Sequence, residues 1–172
     1  MIGSPRKKAL LVVWHSRTGA ARQMAQAAER GARSVVRELQ ADDQLDIVMK
    51  GADETDAADL LAADGYLFCA PENLAALSGA MKEFFDRNYY AVLDRLNGRP
   101  YGVLIAAGSD GSAAARQTER ICTGWRLSPI APTLIVNTRA QTPQEILAPK
   151  TVPEDRLEAC AALGGTLAAL LL

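Results

Sequence analysis

The chain is 172 residues long, above the usual ~100–150-residue domain and below the length at which one core has to split, so a single domain spanning 1–172 is expected. Its 49% hydrophobic and 23% charged residues can bury a sizeable core, which argues against a disordered chain or a membrane protein. Nineteen basic against twenty acidic residues, a formal charge of −1, give no electrostatic reason to expect nucleic acid or an anionic membrane as a partner.

Three cysteines, Cys69, Cys122 and Cys160, lie far apart, and no CxxC or Cys/His spacing suggests a disulfide framework, a metal site or a dithiol centre. The one histidine, His15, excludes mechanisms that need two. The apolar run Ala9–Trp14 is too short for a secretory leader, and Leu157–Leu172 is shorter than the ~20 residues that span a bilayer. A soluble, reducing, cytoplasmic setting without membrane insertion is expected.

Taken in chain order, Ala9–Trp14 is an unbroken apolar run, as in a strand covered on both faces. From Gly19 to Leu39 apolar residues recur at helical spacing, with Arg22, Glu29, Arg30, Arg33 and Arg37 on the other face. Leu45–Met49 reads as a weaker strand, and Thr55–Leu61 as a short helix that Thr55 or Asp56 caps. Gly65–Ala70 is a third strand, ending at Pro71, and Pro71–Ser78 a loop. Ala80–Leu96 is helical with Asn97-Gly98 as its stop; Tyr101–Ala107 is the fourth strand; Gly108–Ser112 is a loop. Ala113–Arg126 is a helix, Ala131–Val136 the fifth strand, and Pro153–Leu171 a last helix with proline in its first turn.

Five strands, each followed by a helix, predict an α/β fold of three layers: a doubly wound, five-stranded parallel sheet in the order 2-1-3-4-5. Its ligand crevice falls at the carboxyl ends of strands one and three, where the winding reverses.

Three loops share that edge. His15-Ser16-Arg17-Thr18-Gly19-Ala20-Ala21 is a small-residue turn at a helix N-terminus, able to aim backbone N–H groups at an anion. From this loop alone, a simple N-cap by Ser16 or Thr18 is equally open. No Gly-Lys-[Ser/Thr] or GxGxxG is present, which removes P-loop and dinucleotide fingerprints. Ser16–Arg22 has phosphatase-loop spacing but puts serine at the thiolate position. A receiver domain would need aspartate where this chain has Cys69-Ala70.

The Ser16-Arg17-Thr18-Gly19 loop resembles the phosphate loop of flavodoxins. Pro71-Glu72 followed by Ser78-Gly79, with Met81-Lys82, Phe85 and Asp86 behind it, resembles the second flavin loop of NAD(P)H-dependent FMN reductases and flavodoxin-like quinone reductases. The resemblance implies a flavodoxin-like fold and FMN as cofactor. By it, Ser16, Arg17, Thr18, Gly19, Ala20 and Ala21 bind the FMN phosphate, Pro71, Glu72, Asn73 and Leu74 flank the ring, and Gly108, Ser109, Asp110 and Gly111 meet its pyrimidine end. His15 contacts the phosphate or flavin edge or serves the loop structurally; Asp110 lies near the ring or caps the next helix.

Two departures stand out. Ala21 replaces a threonine, and Asn73-Leu74-Ala75 replaces the usual Tyr-Asn-Gly. Neither ring loop carries an aromatic residue, so the flavin face is open to a substrate or to a partner subunit, and a homo-oligomer is expected. The resemblance implies an enzyme that carries electrons from NADH or NADPH through FMN to a quinone, flavin or similar small-molecule acceptor. The alternative is a flavodoxin-type electron carrier that docks on redox proteins, against which the near-zero charge weighs. With the flavin as redox group, no side-chain acid or base is required.

Overall fold

A computed structural model describes residues 6–172. In chain order it contains β1 (Lys8–Trp14), α1 (Ala20–Glu38), β2 (Leu45–Gly51), α2 (Ala57–Ala62), β3 (Gly65–Asn73), β4 (Ala76–Leu77) and α3 (Gly79–Val92). There follow β5 (Pro100–Ala107), α4 (Ser112–Gly124), β6 (Ser128–Pro129), β7 (Leu134–Asn137), α5 (Pro143–Leu147) and α6 (Glu154–Leu171).

The long strands are parallel and ordered β2-β1-β3-β5, and β7 lies beyond β5 through Leu104–Ala107, which is the expected flavodoxin-like winding. Among the described residues the sheet has seven strands, not five. One addition, β4, is antiparallel to β3, so the segment read as a loop from Pro71 is a strand to Asn73 and a hairpin back. The other, β6, pairs only with Pro100–Tyr101 of β5. Pro129 and Pro132 lack the N–H that a ladder requires, so the fifth strand is split into β6 and β7 and starts at Leu134 instead of Ala131.

The apolar pattern of β1 has its cause in the two covered faces. Leu10 and Val12 join Leu67, Cys69, Leu104 and Ala106 beneath α1 and α6, while Leu11 and Val13 join Tyr66, Phe68, Val103 and Ile105 beneath α2, α3 and α4. The edge strand β2 alternates buried and exposed residues at its start, hence its weak signal. The α1–α6 layer is built of small residues, and the opposite layer is aromatic, with Phe68 ringed by Tyr66, Phe84, Phe85, Tyr101 and Trp125.

Several ends differ from expectation. α3 stops at Val92, short of Leu96, because Leu96 is buried from a turn and so extends the apolar pattern past the helix. Pro153 is the N-cap of α6 rather than a residue of its first turn. Asp56, not Thr55, caps α2, by a capping box with Asp59. Among the described residues, no helix is long and apolar enough to cross a membrane.

Candidate functional site

The carboxyl ends of β1, β3 and β5 surround one cleft of about 120 Å³. Ser16, Arg17, Thr18, Ala20 and Ala21 line it from the first loop, Pro71, Glu72 and Asn73 from the second, and Ala106, Ala107 and Gly108 from the third. His15, Gly19, Leu74, Ser109, Asp110 and Gly111 stand outside that lining.

Gly19 caps α1 with φ +99°, and its N–H donates to Ser16 Oγ at 3.1 Å. The N–H groups of Ala20, Ala21 and Arg22 then open the helix with no acceptor among the described residues, the first-turn donors that every α-helix leaves unpaired. Ala20 and Ala21 line a cleft bearing the Ser16 and Thr18 hydroxyls and Arg17. The guanidinium of Arg22 lies 5.9 Å from the Trp14 ring centroid. This donor set suits a phosphate monoester; the helix dipole adds ~0.3–1 kcal/mol for such an anion.

At the same edge α4 is arranged in the opposite way. Gly111 caps it with φ +88°, and Glu72 accepts the Gly111 N–H at 2.9 Å and the Ala114 N–H at 3.1 Å. Both carboxylate oxygens are thus engaged, and the Gly111 N–H is not available to a ligand. Asp110 is exposed and accepts from Ser112 Oγ (2.7 Å) and Ser112 N–H (3.3 Å), contacts that hold its carboxyl below the usual range. It orders the turn that leads into α4.

His15 lies beside the second loop. Its Nδ1 is 2.9 Å from Ser78 Oγ, and the buried Ser78 donates its own N–H to Pro71 O. Burial lowers the His15 pKa, the neighbouring Arg17 lowers it further, and Asp53 opposes both. The hairpin between Asn73 and Ala76 turns on Leu74 (φ +52°) and Ala75 (φ +58°), so both central residues take the positive φ that a type I′ turn requires. Leu74 is 94% exposed at its tip.

Sequence reasoning missed a fourth wall. Thr138, Ala140, Ile146, Leu147 and Lys150 also line the cleft. The signal was present as Thr142-Pro143-Gln144-Glu145, a capping box with proline at the first helical position. All three cysteines are buried. Burial raises the Cys69 and Cys122 thiols well above their ordinary pKa and Cys160 to about 11, and Cys69 Sγ donates to Ala21 O, so Cys69 is a core residue. Trp125 is core as well, Tyr89 stacks on it, and Tyr90 is exposed.

Residues 1–141 match the model of the family described as NADPH-dependent FMN reductase. The chain is 32% identical over 113 residues to a flavodoxin of Aquifex aeolicus (strain VF5), an alignment covering 66% of this chain and 55% of that protein, so little more than half of the relative's length is matched. The fold is similar to that of a flavodoxin from the domain Archaea, with a TM-score of 0.73 at 16% identity over 95% of this chain and 98% of the other. It is also similar to the flavodoxin, WrbA-like protein from Agrobacterium tumefaciens, with a TM-score of 0.71 at 15% identity over 96% and 98%.

Proposed function

Because the chain belongs to the NADPH-dependent FMN reductase family, we propose that it binds FMN and acts as an NAD(P)H-dependent oxidoreductase on a quinone, flavin or similar small acceptor. NADH or NADPH gives up a hydride and leaves as NAD(P)+; a quinone takes two electrons and two protons, the second proton from water, and leaves as the hydroquinone. FMN, when bound, supplies this two-electron chemistry, so the protein's task is binding, orientation and electrostatics.

The observation that carries the reading is the contrast between two helix N-termini at one cleft. Glu72 takes the Gly111 and Ala114 N–H groups of α4 and Asp110 that of Ser112, whereas the Ala20 and Ala21 residues that open α1 line the cleft and their N–H groups have no acceptor among the described residues. Ser16, Arg17, Thr18 and the amides of Ala20 and Ala21 hold the phosphate. Pro71, Asn73 and Leu74 flank the ring, and Gly108–Asp110 offer backbone groups to its polar end. His15 and Glu72 position the two ring loops. A second copy of the chain covers the exposed ring face.

The match to a flavodoxin favours one other reading, a carrier that exchanges electrons with partner proteins. Loading the protein with FMN and adding NADPH and NADH separately under anaerobic conditions distinguishes them. Fast bleaching of the flavin, with repeated turnover on a quinone, supports the reductase. Bound FMN that neither nucleotide bleaches supports the carrier, and protein that takes up no FMN refutes both.

A further inference from the structure

Residues 142–152 lie beyond the stretch matched to the family, yet they cross the mouth of the cleft as a strap anchored at both sides. On the side of the third loop, the Asn137 side chain donates to Ser109 O, the Thr138 N–H to Ala107 O (2.7 Å) and Gln141 Nε2 to Gly108 O (3.3 Å). On the phosphate-loop side, the Lys150 N–H donates to Thr18 O at 2.8 Å.

Gln23 completes that second anchor with its whole amide. Nε2 donates to Lys150 O (2.7 Å) and to Gly19 O (3.0 Å), while Oε1 accepts the Val152 N–H (3.0 Å). Between the anchors the strap is internally stiff. The capping box starts α5, and the Lys150 ammonium donates to the carbonyls of Glu145, Ile146 and Ala148. What this stiff unit presents to the cleft is apolar: Ile146 and Leu147, 49% and 72% exposed. Ile146 and Leu147 thus bring apolar surface to a cleft whose ring loops carry no aromatic residue.

We propose that Gln23 is a positioning residue for the cofactor: it latches the strap across the cleft so that Ile146 and Leu147 form an apolar wall against bound FMN and slow its escape. This rests on the FMN reading above. In this proposal the strap swings outward as FMN enters and leaves, widening a cleft of about 120 Å³. The hydrogen bonds from Gln23 to Lys150 and Val152 are among those that such a movement breaks.

The test is the rate at which bound FMN leaves, followed by the recovery of free-flavin fluorescence on dilution, in the wild type, Gln23→Ala and Leu147→Ser. The expected result is a dissociation rate at least tenfold faster in both variants, with an association rate within a factor of two to three of the wild type. Hydrogen exchange over 142–152 is expected to be slow in the FMN-loaded wild type and fast in FMN-loaded Gln23→Ala. A role of Gln23 in fold stability alone would move the melting temperature but not these quantities. Unchanged dissociation in Leu147→Ser, whose exposed side chain is not needed for folding, overturns the proposal even if Gln23→Ala fails to fold. A wild type that binds FMN, with unchanged rates in both variants, overturns the latch alone; a wild type that binds none overturns the FMN reading with it.

Discussion

The carboxylate of Glu72, at the end of β3, is the N-terminal cap of α4, taking the N–H groups of Gly111 at 2.9 Å and Ala114 at 3.1 Å. A capping side chain ordinarily comes from the residue at the helix start, but here that residue is a glycine in the left-handed region, where a Cβ would also stand 2.7 Å from Ile135 Cγ2. The cap therefore comes from across the cleft and joins two of its loops into one body. Glu72→Ala is expected to cost ~1–2 kcal/mol, about the value of a lost cap, and to lower the melting temperature by several degrees. Glu72→Gln, which keeps one acceptor, should fall between the two. Thermal unfolding followed by circular dichroism measures both.

The hairpin tip carries strain that a different pair of residues would remove. Leu74 and Ala75 both hold positive φ, a region that costs L-residues other than glycine, asparagine and aspartate ~1–2 kcal/mol each. The double change Leu74→Asn with Ala75→Gly supplies the residues that type I′ turns favour. Expected is a gain of ~1–2 kcal/mol, seen as a higher urea midpoint with an unchanged slope. Because Leu74 is exposed, the change removes almost no packing.

Stability should fall on mild acidification through His15. Burial and Arg17 lower its pKa in the folded protein, so the folded state takes up a proton less readily than the unfolded chain. That contribution is complete above the ordinary histidine pKa of about 6.5 and is lost as pH falls below it, toward the lowered value. Protonation would also force Nδ1 to act as donor to Ser78 Oγ. Urea midpoints compared between about pH 7.5 and pH 5.5 should drop more in the wild type than in His15→Gln; equal slopes would assign the drop to the carboxylates.

The sheet was legible because β1, β3 and β5 are covered on both faces, so their apolar residues run unbroken and mark the strands without reference to partners. The cleft was legible to the extent that its lining is marked by local residue type: hydroxyls at Ser16 and Thr18, and glycine at Gly108. What escaped is what depends on distant partners. Nothing near Glu72 in the chain says that it caps α4, and nothing near Gln23 says that it holds Lys150 and Val152. The hairpin was hidden because Leu74-Ala75 lacks the asparagine or glycine by which such turns are read, and α5 because none of its five residues is buried and no periodicity results.

Two glycines at helix positions allow a prediction with opposite signs. Gly164 in α6 lies against α1 so closely that a Cβ there would overlap the carbonyl group of Ala28, which is backbone and cannot move aside. The reciprocal contact is made by Gly31, whose added Cβ would overlap Ala161, so the two helices approach along paired glycines. Gly164→Ala must push the helices apart across a layer of buried alanines, and overpacking of that kind costs ~1–3 kcal/mol or more. Gly79, in the first turn of α3, has nothing within 4 Å of an added Cβ and an unstrained backbone. There Gly79→Ala should stabilise by ~0.4–1 kcal/mol through the lower entropy of the unfolded chain. Measured side by side in urea, a loss at Gly164 and a gain at Gly79 follow from this geometry; a gain at both would mean that α1 and α6 do not approach so closely.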